Sequence, residues 1–176
     1  NLGHLFVSPL RPWEFMIALT IVSLLRTLVG ILPAAFLAAP LFGVSVWETG
    51  LPLAAFFGNL MLLGWAMGMA ITGLILRVGL GAESIAWAAI FILAPISAVY
   101  YPIDVLPSWL QSIAWGLPPA YVFEGMRSVL FGQGFRLDLF LGALGLNAVY
   151  LALGAATFLY NFRAARIEGK LLQTGE

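Results

Sequence analysis

Few side chains in this chain of 176 residues could carry out chemistry, and their spacing excludes most kinds. The single histidine, His4, lies among the first residues, outside every apolar run, so it cannot be a general base buried among spans. There is no cysteine and no second histidine, which leaves a transition-metal cluster without ligands. No serine or threonine stands in a nucleophile-elbow context, and no two acids have the spacing of an intramembrane aspartyl pair. Gly169-Lys170 resembles the end of a phosphate loop. The upstream glycine is absent, however, and Leu171 stands where a magnesium-binding hydroxyl belongs. No nucleotide, metal or other cofactor is therefore expected on this chain. What remains is a small set of polar groups in apolar surroundings: Arg26 with Ser23 and Thr27, then Asn59, Asn147, and the pair Glu124 and Arg127. Their chemistry is hydrogen bonding, ion pairing and the solvation of a path.

The elements that must position these groups are membrane spans. Hydrophobic residues make up 62% of the chain and charged ones 9%, with mean hydropathy +1.01, far from the composition of soluble domains. Net charge is zero, which removes the electrostatic footprint expected of a nucleic-acid binder. Apolar runs predict spans over about Phe15–Phe42, Pro52–Leu76, Ile85–Tyr101 and Leu139–Phe162. The first is long enough to tilt, or to kink at Pro33. Arg26 sits well inside it, on a polar stripe with Thr20, Ser23 and Thr27. An arginine at that depth costs at least ~2.5 kcal/mol on insertion scales, so it should face the bundle interior or water and find an acid, with Glu124 the first candidate. Snorkelling toward one interface is the alternative. The second span carries Asn59 and the spacing Gly64, Gly68, Thr72, which suits close helix packing.

Between the third and fourth spans the chain is apolar yet broken. Pro95, Pro102, Pro107, Pro118 and Pro119 prevent one straight helix from running through Ala94–Phe131. Two pieces remain, roughly Ser108–Leu117 and Ala120–Gly132, each reaching only about 15–20 Å, roughly half of a hydrocarbon core. Irregular backbone at membrane depth needs protein or a water-filled cavity around it, so a re-entrant hairpin over 102–136 reads as a gate. The alternative has both pieces lying flat on the surface. Its candidate gate residues are Tyr100, Tyr101, Pro102, Trp109, Trp115, Pro118, Pro119, Tyr121, Glu124 and Arg127. Glu124 and Arg127 share a helical face and can pair with each other or with Arg26. The aromatic residues suit an interfacial belt, or stacking on sugars or amphipathic drugs. The predicted fold is all-α: a polytopic membrane bundle of four full transmembrane helices, with a broken re-entrant hairpin before the last.

Four spans place both ends of the chain on one side. That side collects Arg11, Arg77, Arg163, Arg166 and Lys170, while the other has only Arg127 and Arg136 against Glu48, Asp104, Glu124 and Asp138. The positive-inside rule then makes both ends, including the tail 163–176, cytoplasmic. The chain begins with Asn1, without a signal pattern, and reads as an internal stretch of a longer protein.

The run PISAVYYPIDVLPSWLQSIAWGLPPAYVFEGMRSVLFG resembles the closing region of ABC-2 type transporter permeases, the membrane subunits of bacterial ATP-driven exporters. LFVSPLRPWEF resembles the family's cytoplasmic coupling segment, and IEGKLLQTGE the tail of many members. The family usually has six spans, so roughly two are expected to precede this stretch. The resemblance implies a non-catalytic multi-pass subunit of the bacterial inner membrane, dimerising with a second permease copy among membrane lipid. It implies two separate ABC ATPase subunits, which carry the ATP and magnesium. The coupling segment falls on 1–14, with Ser8, Pro9, Leu10, Arg11, Pro12 and Glu14 as the matching residues. By the same resemblance the hairpin closes the export path on the outer side. Two other classes stay open from the residues alone: an intramembrane transferase whose catalytic groups lie in preceding spans, and a membrane assembly protein that transports nothing.

Overall fold

The computed structural model describes residues 11–43 and 46–169, and their regular structure is entirely helical. Six α-helices follow in order: α1 Pro12–Phe42, α2 Val46–Val78, α3 Glu83–Ile96, α4 Ser108–Ala114, α5 Pro118–Leu130 and α6 Leu137–Ile167. Short 3-10 turns at Leu80–Ala82 and Ile103–Val105 join them. Three stretches are long and apolar enough to cross a membrane: Pro12–Leu41, Gly50–Val78 and Leu137–Ile167.

Local chemistry sets the ends. Pro12 opens α1 where its missing donor costs nothing, and Glu14 Oε2 accepts the Arg11 backbone N–H at 2.8 Å. The helix continues through Pro33 and Pro40 and ends at Gly43, whose φ of 68° returns its N–H to Ala39 O. In α2 the regular path breaks at Gly50 (φ 54°, ψ −134°), a conformation glycine adopts without steric cost, just before Pro52.

The frame is α2 packed along α6. The two run parallel, because contacts climb both together: Phe56 lies against Phe140, Asn59 against Asn147, Ala66 against Gly154, and Gly73 against Phe158. A Cβ on Gly154 would sit 2.3 Å from the Ala66 carbonyl oxygen, and one on Gly73 would sit 2.7 Å from Phe158 Cα. Only glycine permits that approach. The stripe expected to do this, Gly64 and Gly68, instead has nothing within 4 Å of a Cβ and faces an open groove beside α1. Spacing alone shows a small-residue face but not which neighbour it meets.

The expected third span is shorter than its apolar run. Helix α3 has 14 residues, about 21 Å at ~1.5 Å per residue, less than a ~30 Å core. It ends because Ala98 adopts a left-handed φ of 57°, and because the Ala98 and Val99 carbonyls turn aside to Arg127. The proline-broken stretch yields two short helices, α4 and α5, close to the two pieces expected there. The last helix is longer than expected, continuing through Arg163 and Arg166 to Ile167. Arg163–Ile167, expected in the tail, is therefore helical.

Candidate functional site

The polar residues gather at three levels along the α2–α6 pair. At the end where α2 and α6 begin, α5 wedges against both. Phe56 is fully buried under Gly125, with Phe135 at 5.2 Å and Phe140 edge-on at 6.2 Å. Tyr121 lies over Gly142 and meets Trp115 edge-to-face at 4.8 Å. Pro118, Pro119, Ala120 and Val122 are buried, and their packing holds α5 in this wedge.

On this base Glu124 and Arg127 form one node. Arg127 Nη1 donates to Glu124 Oε1 at 2.9 Å, and the Ile103 backbone N–H donates to the same oxygen at 2.8 Å. Arg127 Nη2 donates to the Ala98 carbonyl and, at 3.5 Å, to Val99. Of the two pairings open to Glu124, the one with Arg127 forms. The node ties α5 to the irregular segment 97–106, whose own Ala98, Ile103 and Leu106 are buried with Ala114 and Ala120. Gln111 Nε2 donates to Leu106 O, Tyr101 Oη to Pro95 O, and Tyr150 Oη to Gly116 O, so hairpin, α3 end and α6 are stitched together.

A cavity of about 370 Å³ opens beside the node, lined by Asp104, Glu124, Arg127, Ser128, Gln133 and Arg136 with Trp115 and Phe131. Arg136 makes a bidentate pair with Asp138, and this carboxylate raises the guanidinium above its ordinary pKa. Both cationic groups of the lining are thus paired, Arg127 with Glu124 and Arg136 with Asp138.

At the middle level Asn147 is fully buried, and its Nδ2 donates to both Asn59 O and Asn59 Oδ1 at 2.9 Å. Asn59 Nδ2 donates at 3.3 Å to Ala55 O on its own helix. Asn147 Oδ1 is buried without a partner. Two asparagines 88 residues apart in sequence thus form one contact.

At the far end α1 enters. Phe15 stacks on Phe158 at 6.1 Å and Phe158 on Phe162 at 5.8 Å, with Leu76, Met16, Met69 and Ala165 around them. Arg77 lies over the Tyr160 ring at 5.8 Å and reaches Glu168 at 3.5 Å. Arg11 and Pro12, with Glu14 the described members of the expected coupling set, precede Phe15 by about one helical turn. Ser8, Pro9, Leu10 and His4 lie outside the described residues, as do Lys170 and the rest of the tail.

The structure separates the remaining candidates. Ser23 Oγ accepts from Trp65 Nε1 at 2.7 Å, joining α1 to α2, and Thr27 Oγ1 returns to Ser23 O. Arg26 lies exposed on α1, away from Glu124, and among the described residues it makes no ion pair. In the hairpin set Pro118 and Pro119 are buried, whereas Tyr100, Pro102 and Trp109 point outward. Sequence reading did not single out the Phe15, Phe158 and Phe162 joint. Phe158 and Phe162 are four apart on one helical face, a signal lost among thirteen phenylalanines. Among the described residues no three His, Cys, Asp or Glu side chains converge as metal ligands.

The sequence profile described as ABC-2 type transporter matches residues 1–131, three quarters of the chain, and the chain belongs to that family. It is 33% identical over 86 residues to the Linearmycin resistance permease protein LnrN of Bacillus subtilis (strain 168). That match covers 48% of this chain and 21% of the relative, so the chain spans only a fraction of the protein it resembles. No solved structure matches it. The chain thus carries several membrane-length helices and belongs to the ABC-2 type transporter family.

Proposed function

We propose that this chain forms part of the permease subunit of an ATP-driven exporter. It works as a dimer, coupled to two separate ATPase subunits that hold the nucleotide and magnesium. The observation that carries this reading is the joint at the start of α1. Phe15, one residue beyond the segment expected to meet the ATPase, stacks directly on α6, and Met16 joins the same cluster with Leu76 of α2. A push on residues 1–14 would therefore reach both long helices of the frame without crossing a flexible link. From there the parallel α2–α6 pair leads to the α5 wedge and the Glu124–Arg127 node, which would close the outer end of the path.

In this reading α3 and the segment after it return the chain across the membrane as a fourth, partly irregular crossing. The same end of the bundle holds the start of α1 and the ends of α2 and α6, with Arg11, Arg77, Arg163 and Arg166 near it. By the positive-inside rule that end is cytoplasmic, in the bacterial inner membrane. The relative named for linearmycin resistance makes linearmycin the first compound to try as substrate.

The test is co-purification. The full-length gene product, extracted gently from its own membrane, is expected to bring down a Walker-motif ATPase in equal amount. If none accompanies it under several mild conditions, the exporter reading fails. Catalytic groups should then be sought elsewhere in the protein.

A further inference from the structure

Arg26 is placed where, among the described residues, no acid pairs with it. It lies fourteen residues beyond Pro12, about 21 Å along α1, near the midpoint of the helix. Its side chain is exposed on α1. The neighbouring hydroxyls are already engaged: Thr20 with Met16 O, Ser23 with Thr20 O and Trp65, Thr27 with Ser23 O. A guanidinium at this depth does not stay against lipid tails, so an anion or water must meet it.

The eight acids of the chain can be taken one by one. Glu14, Glu83, Asp138 and Glu168 stand at helix ends, and Glu48, Asp104 and Glu176 lie outside the three apolar stretches. Glu124 already holds Arg127 and the Ile103 N–H. None stands at the middle of a membrane-length helix. A second copy of the same chain therefore offers no acid at Arg26's depth either.

Beside Arg26 the surface is shaped for a helix. Leu19, Ser23 and Arg26 follow one another on one helical stripe. Leu19, Thr20 and Ser23 line a groove of about 200 Å³ with Gly64, Gly68 and Thr72 of α2. A Cβ at Gly64 or Gly68 would meet nothing within 4 Å, so a further backbone can come close there. We propose that Arg26 and this groove are the docking face for a transmembrane helix carrying an Asp or Glu at mid-membrane depth. That helix is not one of residues 1–176 in either copy. The inference needs only that α1 crosses a membrane; it does not depend on transport or on the ATPase.

The experiment uses the full-length protein in its own membrane. A photoreactive p-benzoylphenylalanine replaces Leu19, and the captured peptide is identified by mass spectrometry. The expected peptide is a membrane segment outside residues 1–176 with a central Asp or Glu. Arg26→Leu should lower the amount of folded protein several-fold, and Arg26→Lys much less. Neutralising the captured acid to Asn or Gln should lower it alone but restore it in the Arg26→Leu background. Capture of residues within 1–176, capture of a segment without an acid, or absence of that rescue overturns the proposal. So does labelling of Arg26→Cys in intact membranes by a water-soluble maleimide, which would show that Arg26 faces an aqueous path. Residues 1–176 hold no other cysteine, and any cysteine elsewhere in the full-length protein is first replaced by serine so that only position 26 reads out. Failure to find an ATPase would sink the exporter reading and leave each of these outcomes readable.

Discussion

Asn147 donates twice to Asn59, once to its backbone carbonyl and once to its side-chain oxygen, each at 2.9 Å across the α2–α6 contact. In an apolar interface this fixes the register of two parallel helices that side-chain packing alone would let slide. Interhelical hydrogen bonds of this kind contribute only about 0.6–2 kcal/mol in membranes, so the contact specifies alignment more than stability.

The first prediction concerns that contact. Asn147→Ala should destabilise the purified protein by about 1 kcal/mol, and Asn59→Ala by a similar amount. The double variant should fall short of their sum by about 0.5–1.5 kcal/mol, because the partners share one interaction. Asn147→Asp keeps the size but sets carboxylate oxygens against the two Asn59 oxygens, so at neutral pH it should cost more than alanine. Thermal unfolding in detergent reads all four proteins. Strict additivity would show that the two asparagines act separately.

Glycine positions give a sharper contrast. Gly154→Ala would place a methyl 2.3 Å from a backbone oxygen that cannot rotate away, so α2 and α6 must separate. A loss of about 1–3 kcal/mol is expected from such overpacking. Gly145→Ala, on an open face of the same helix, should be neutral or slightly stabilising, since alanine is the better helix former. Equal effects from the two would mean that the close crossing is absent in the folded protein.

Both contrasts bear on what the sequence made legible. Length and apolar content sufficed for α1, α2 and α6, because membrane spans are constrained by thickness more than by detail. The five prolines marked the broken region, and the two short helices α4 and α5 fall where they cut it. The α3 end was not legible: an apolar run to Tyr101 gives no sign that Arg127, 29 residues later, takes the Ala98 carbonyl. Helix partners were hidden for a related reason. Gly64 and Gly68 have the motif, yet Gly73 and Gly154 make the close approach, since a helical stripe records which residues share a face and not what covers it. Asn59 and Asn147 were singled out as intramembrane polar residues, and the structure adds that they meet.

The Glu124–Arg127 node supplies a third prediction. Arg127→Ala frees the Ala98 and Val99 carbonyls and leaves Glu124 with one donor, whereas Glu124→Gln keeps an oxygen to accept from Ile103 N–H. Hydrogen bonds to a charged group contribute about 1.5–3 kcal/mol, and the partial exposure of this pair puts the expected loss at the lower end. Arg127→Ala should therefore loosen the segment more than Glu124→Gln does. Amide hydrogen exchange over 97–106 measures it, with faster exchange expected in that stretch and little change in α2. Uniform acceleration over the whole chain would show that Arg127 supports the entire fold and not this segment.

The last prediction separates stability from coupling at the joint between α1 and α6. Phe158 is wholly buried, so Phe158→Ala should cost about 3–5 kcal/mol and lower the yield of folded protein. Phe15 lies at the edge of the same cluster, half-buried, and its removal should cost far less. Its stack on Phe158 is nevertheless the direct contact between the start of α1 and α6. With the proposed ATPase partner, Phe15→Ala should leave a folded protein that still binds it, while substrate no longer stimulates ATP hydrolysis. Phe15→Leu, which refills part of the volume without a ring, should recover some of that stimulation. Measured side by side with Arg11→Glu, which alters the adjoining segment without touching the cluster, the two variants should uncouple to a similar degree. Full coupling in Phe15→Ala would mean that force enters the frame by another route, and the aromatic joint would then be packing alone.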